Sequence, residues 1–116
     1  MNNVAAAYGA TAEIRIVRGY PPVVNDQLLA EAFAEHMRAR GDIHVERLAP
    51  TMGGEDFAYF AQRVPGVHAR LGIRSEAAQS TYPGHSAEFR IDEAALPVGV
   101  ETLVAFARFV GGGRRK

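Results

Sequence analysis

Cysteine is absent from this 116-residue chain. Its absence excludes disulfides and thiolate zinc sites, and leaves the reducing cytoplasm as the expected compartment. Net charge is absent as well. Thirteen Lys and Arg balance thirteen Asp and Glu, which gives no electrostatic case for nucleic acid or an acidic partner. The start, Met1-Asn2-Asn3-Val4-Ala5-Ala6-Ala7, lacks the basic flank and apolar run of a signal peptide. No segment is expected to approach the ~20 apolar residues needed to cross a bilayer, so a membrane partner is not expected. Neither an internal repeat nor a low-complexity segment is visible, and no two of the four histidines have a His-x-x-x-His spacing.

What is present is patterned. Val4 to Tyr8 reads as the last turns of a helix closed by Gly9. Thr11 to Arg18 alternates, with Ala12, Ile14 and Ile16 opposite Glu13 and Arg15, as a half-buried strand does. Gly19-Tyr20-Pro21-Pro22 breaks that pattern and is the best candidate for a domain boundary. Asn25 or Asp26 can cap a helix running to about Arg40 and ended by Gly41, with Leu29, Phe33 and Met37 on one face. Ile43 to Leu48 alternates again. Phe57, Phe60, Ala61 and Val64 mark a short amphipathic helix stopped before Pro65. Gly66 to Ile73 is a third expected strand, and Arg74 to Gly84 a long loop. A last helix spans Asp92 to Val110, with an irregular first turn because Pro97 lies too deep for a helix capped by Asp92. The order β-α-β-α-β-α predicts an α/β layer architecture, with Arg114-Arg115-Lys116 as a basic tail behind three glycines.

Two loops carry candidate chemistry. His85, in Tyr82-Pro83-Gly84-His85-Ser86, offers an imidazole on a turn-rich loop ahead of a helix; it reads as a metal ligand or as ordinary surface. Met52-Gly53-Gly54-Glu55-Asp56 places two glycines at a helix start. Free N–H groups there suit a carboxylate ligand, while Glu55 and Asp56 could equally complement the helix dipole. Adjacent side chains on a helix point about 100° apart, so Glu55 and Asp56 do not share one site easily. Ser86 has no oriented His–Asp pair or elbow motif around it. His36, His44 and His68 read as satisfied or solvated side chains of a helix and two strands.

Taken in order, Tyr20-Pro21-Pro22-Val23-Val24-Asn25-Asp26, Met52-Gly53-Gly54-Glu55-Asp56-Phe57, Gly84-His85-Ser86-Ala87-Glu88-Phe89 and Asp92-Glu93-Ala94-Ala95-Leu96-Pro97-Val98-Gly99 resemble the C-terminal portion of the metal-dependent amidohydrolases. That family includes hippurate hydrolase, auxin-conjugate hydrolases and related aminoacylases and carboxypeptidases. The resemblance implies a catalytic α/β domain interrupted by a lid or dimerisation domain. Residues 1–18 would be the end of the lid, 19–113 the returning catalytic part, and 114–116 the tail. It implies hydrolysis of N-acyl amino acids or similar amides with two divalent ions, zinc, manganese or cobalt. His85 matches the last metal ligand, with Ala87 where the family has Pro. Met52, Gly53, Gly54 and Glu55 fall on the cleft-lining, substrate-contacting segment, with Gly54 in a Ser position.

The family's other ligands and its general base lie upstream and have no counterpart here. Catalytic zinc takes about three protein ligands per ion. This chain alone is therefore expected not to hydrolyse amides efficiently, and to act in a homodimer or with an N-terminal half. The competing expectation is a non-catalytic α/β module that binds a small carboxylate or a protein, folds stably without metal and leaves no apolar cleft open.

Overall fold

The computed structural model describes residues 2–112, and the basic tail lies outside them. Four helices follow one another: α1 (Asn2–Ala7), α2 (Gln27–Arg40), α3 (Phe57–Ala61) and α4 (Ala95–Gly112). Each end has a local cause. The Ala10 and Gly9 N–H groups return to the Ala5 and Ala6 carbonyls and close α1. Asp26 caps α2, its side chain accepting the Leu29 N–H at 2.9 Å. Gly41 ends that helix at φ 76°, where a Cβ would be strained, and its N–H reaches the Arg38 carbonyl.

The last helix begins three residues after Asp92. Residues 93–94 form a turn, with the Ala94 N–H on Asp92 Oδ1 at 3.0 Å. This offset places Pro97 in the first turn of α4, where a missing N–H removes no helical hydrogen bond. The irregular entry anticipated from Pro97 is thus a turn outside the helix.

Among the described residues no strand is assigned. A strand exists only through its ladder, and neither 43–48 nor 66–73 has a backbone ladder partner in the described part. The period-two signal survives locally: Ile43 and Val45 are half-buried while His44 and Glu46 are exposed. Along 11–18 every residue is exposed, so that alternation has nothing to pack on.

Packing concentrates where α2 meets α4. Phe33, Met37 and Ala105 are buried together, with Ile43, Val45, Phe106 and Phe109 against them. Phe33 meets Phe106 edge-on at 4.9 Å and Phe109 at 5.6 Å. Arg40 at the end of α2 pairs with Asp42 at 2.8 Å and with Glu101 of α4. Both carboxylates hold the guanidinium proton more tightly, Asp42 first.

This core is small. Beyond it, Ala58 is the one other buried apolar residue among those described, while Leu28, Leu103 and Ile16 stand 72% or more exposed. The surface is 10246 Å², against about 6,200 Å² for a compact protein of this mass. The radius of gyration is 20.4 Å, against roughly 13 Å for a closed domain of this length. The expectation that no segment approaches membrane-spanning length does not hold for α4, which is long and apolar enough by length and composition alone. In this structure α4 packs on α2 through Ala105 and Phe106, and Ala105 is its one buried residue among those described.

Candidate functional site

The Gly-Gly loop and the segment after Pro65 are drawn together by residues far apart in sequence. The Asn25 side chain donates from Nδ2 to the His68 carbonyl at 3.0 Å and accepts the His68 N–H at 2.8 Å. One residue on, the Asp26 N–H donates to the Gly66 carbonyl at 3.0 Å. The start of α2 therefore holds 66–68 from one side. From the other side comes α3, whose Phe57 ring lies over His68 at 5.6 Å and 30°. Gly66 permits that approach: a Cβ there would sit 3.1 Å from Phe57 Cζ.

The loop is tethered at both ends to this segment. Arg70 donates to Thr51 Oγ1 at 2.8 Å, and Glu55 Oε2 lies 3.7 Å from His68 Nε2. Glu55 Oε1 accepts the Phe57 N–H at 3.3 Å. That bond is the main reason the Glu55 carboxyl sits below its ordinary range, followed by the Asp56 side chain, with the His68 charge a smaller contribution. The Ala58 and Tyr59 N–H groups return to the Glu55 and Asp56 carbonyls. The first donors of α3 are thus taken by the chain itself and are not free for an anion.

Met52, Gly53 and Gly54 are open. Met52 is fully exposed, and a Cβ at Gly53 would meet no atom within 4 Å. At Gly54 it would lie 3.4 Å from the Tyr20 ring, an ordinary contact. Tyr20 in turn meets Tyr59 edge-on at 5.8 Å, so the residue before Pro21 lies beside the loop.

His85 lies in a separate turn. The Ser86 N–H donates to the Pro83 carbonyl and the Phe89 N–H to the Ser86 carbonyl. Buried Ser80 closes the preceding loop, donating to the Ile73 carbonyl at 2.9 Å and accepting the Ser75 N–H at 2.8 Å. The His85 backbone has φ 67°, a left-handed conformation that non-glycine residues rarely take. Such outliers persist where surrounding structure holds them and cluster at functional sites. Among the described residues no three His, Asp or Glu side chains gather as a metal-holding group. The chain thus offers His85 as a single candidate ligand; the described residues do not form a metal site by themselves.

His68 was not singled out by its sequence context. Its partners lie 13 and 43 residues away, at Glu55 and Asn25, and no local pattern announces them.

Residues 3–108 match the family model described as Peptidase family M20/M25/M40. The chain belongs to this family. It is 38% identical over 104 residues to an N-acetyldiaminopimelate deacetylase of Leuconostoc citreum, covering 89% of this chain and 26% of that protein. It is 36% identical over 101 residues to thermostable carboxypeptidase 1 of Saccharolobus solfataricus, covering 85% and 25%. A Rhodococcus jostii protein named for glutamate–cysteine ligase is 36% identical over 107 residues, 91% of this chain but only 13% of that protein. The chain spans about a quarter of the length of the deacetylase and the carboxypeptidase it matches. No solved structure matches it.

The M20 relatives named as deacetylase and carboxypeptidase are hydrolases, and the family is generally metal-dependent. That agrees with the amidohydrolase resemblance carried by the Gly-Gly-Glu-Asp and Gly-His-Ser motifs.

Proposed function

We propose that this chain forms the C-terminal part of a metal-dependent amidohydrolase acting on N-acyl amino acids or related small amides, and contributes His85 to its metal centre. The observation that carries this reading is the His85 turn. An imidazole is presented at φ 67°, on a loop fixed by the Pro83 and Ser86 carbonyls. When bound, a divalent ion polarises the amide carbonyl and activates water. The residues here would do three other things. His85 supplies one nitrogen donor; the open backbone at Gly53 and Gly54 approaches the substrate; Glu55 holds that loop against His68.

The amount of apolar surface left open supports a role within a larger catalytic body. A self-sufficient binding module should close its core, whereas here Leu28, Val100 and Leu103 remain exposed. The remaining ligands and the general base would come from outside this chain.

A chimera tests the reading. This chain replaces the aligned quarter of the Leuconostoc citreum deacetylase, and hydrolysis of N-acyl amino acids is followed with and without zinc, manganese or cobalt. Metal-dependent turnover that is lost in His85→Ala is expected. Turnover unchanged by that substitution would sink the proposal.

A further inference from the structure

Two tethers join the Gly-Gly loop to the 66–70 segment. One tether, Thr51 to Arg70, joins a hydroxyl to a guanidinium that stays charged. The other, Glu55 to His68, joins a carboxylate to an imidazole, which attracts it only when protonated. Between them Met52 is fully exposed, and Gly53 and Gly54 have no side chain to anchor.

The His68 end is unusually well fixed for a half-exposed residue. Both of its backbone polar groups are held by Asn25, and its ring is stacked on Phe57. The ring therefore has little freedom to follow Glu55; it is Glu55, on the loop, that must come to it. Its carboxylate divides between two partners, the Phe57 N–H on Oε1 and His68 on Oε2. At 3.7 Å the second contact is too long for a hydrogen bond and becomes an attraction when the imidazole is protonated.

We propose that His68 is a positioning residue that sets the conformation of the Met52-Gly53-Gly54-Glu55 loop through the Glu55 carboxylate, drawing the loop in when the imidazole is charged and releasing it when neutral. The charged groups around this pair are few. Asp56 adjoins Glu55, and its side chain helps hold the Glu55 carboxyl low. Arg70 is occupied by Thr51. Asp26, on the α2 side, is turned to the Leu29 N–H. Glu55 is thus the carboxylate paired with His68. The proposal deepens the substrate-loop reading above, since control of this loop matters for turnover only if the loop meets substrate.

The test is a pH titration of the isotope-labelled 116-residue chain by NMR, without ligand, following the His68 ring and the Gly53 and Gly54 amides. The expected result is that both amides shift with the midpoint of His68. The shift should vanish in His68→Phe, which keeps the stack on Phe57 and the backbone bonds to Asn25. It should also vanish in Glu55→Gln, which keeps an acceptor for the Phe57 N–H but loses the charge. Amides that ignore the His68 midpoint, or that titrate unchanged in either variant, overturn the tether. Hippurate, added as a probe at low and high pH to the labelled chimera with the Leuconostoc citreum deacetylase, separates the two readings. If the amides follow His68 but hippurate leaves residues 52–55 unperturbed, the tether stands and the substrate assignment falls. If hippurate perturbs the loop while the amides ignore His68, the tether falls.

Discussion

Asn25 and His68, 43 residues apart, are joined by a reciprocal pair of hydrogen bonds in which one side-chain amide pairs with both backbone groups of the histidine. The arrangement imitates one rung of a β-ladder, with a side chain standing in for the neighbouring strand. It fastens the start of α2 to the segment that carries the Glu55 tether, so the fold and the candidate site share this rung.

Replacing Asn25 by Ala leaves the His68 N–H and carbonyl without these partners. The expected loss is about 1–3 kcal/mol, read from the urea midpoint, together with faster exchange of the His68 amide. Asn25→Asp keeps the acceptor for the N–H and loses the donor to the carbonyl, and should fall between the two. An Asn25→Ala protein as stable as the parent, with His68 exchange unchanged, would contradict the assigned role.

Phe33 is the centre of the small core, touching Phe106 and Phe109 across the α2–α4 contact. Phe33→Ala should cost about 3–5 kcal/mol, which is a large share of any single domain's stability. The helical circular dichroism signal of α2 and α4 is expected to melt at markedly lower temperature.

Glu55 gives the pH dependence a sign. Its folded carboxyl is held below the unfolded value, chiefly by the Phe57 N–H. The stability it contributes is therefore present above the unfolded value and is lost as pH falls through the folded one. Asp42, lowered by its bond to Arg40, acts in the same direction. The chain should lose stability on acidification below the ordinary carboxylate range, and Glu55→Gln should flatten part of that slope. Acid unfolding curves of the two proteins make the comparison.

Leu103 on α4 is 72% exposed in a row with Val100 and Leu96. Leu103→Glu should leave the helix formed, since the side chain packs on nothing buried, while reducing dye binding and concentration-dependent association. Sedimentation at several concentrations checks this; association unaffected by the charge would place the sticky surface elsewhere.

Much of the helical framework was legible in the residues. Asp26 as cap, Gly41 as stop, and the Phe33–Met37 face of α2 all follow from interactions within a few residues. Pro97 announced an irregular entry to α4, although the helix itself begins at Ala95. The extended segments were legible only as alternation. Ile43 and Val45 keep their inward side against the core of Phe33, Met37 and Ala105, but a ladder requires a partner strand, and none is present among the described residues.

The candidate site divides the same way. His85 and the Gly-Gly-Glu-Asp loop could be named from motif order, because a turn residue and a helix start are local features. That Glu55 faces His68, that Phe57 stacks on it and that Asn25 clamps it were decided only by the tertiary structure. Those contacts join positions 11, 13 and 43 residues apart, and no helical or strand periodicity reaches that far. The sequence by itself determined where α2 starts and stops and which family the motifs resemble, through short-range capping and patterning. The tertiary structure decided which side chains meet, because meeting depends on how α2, α3 and the 66–70 segment fold back on one another.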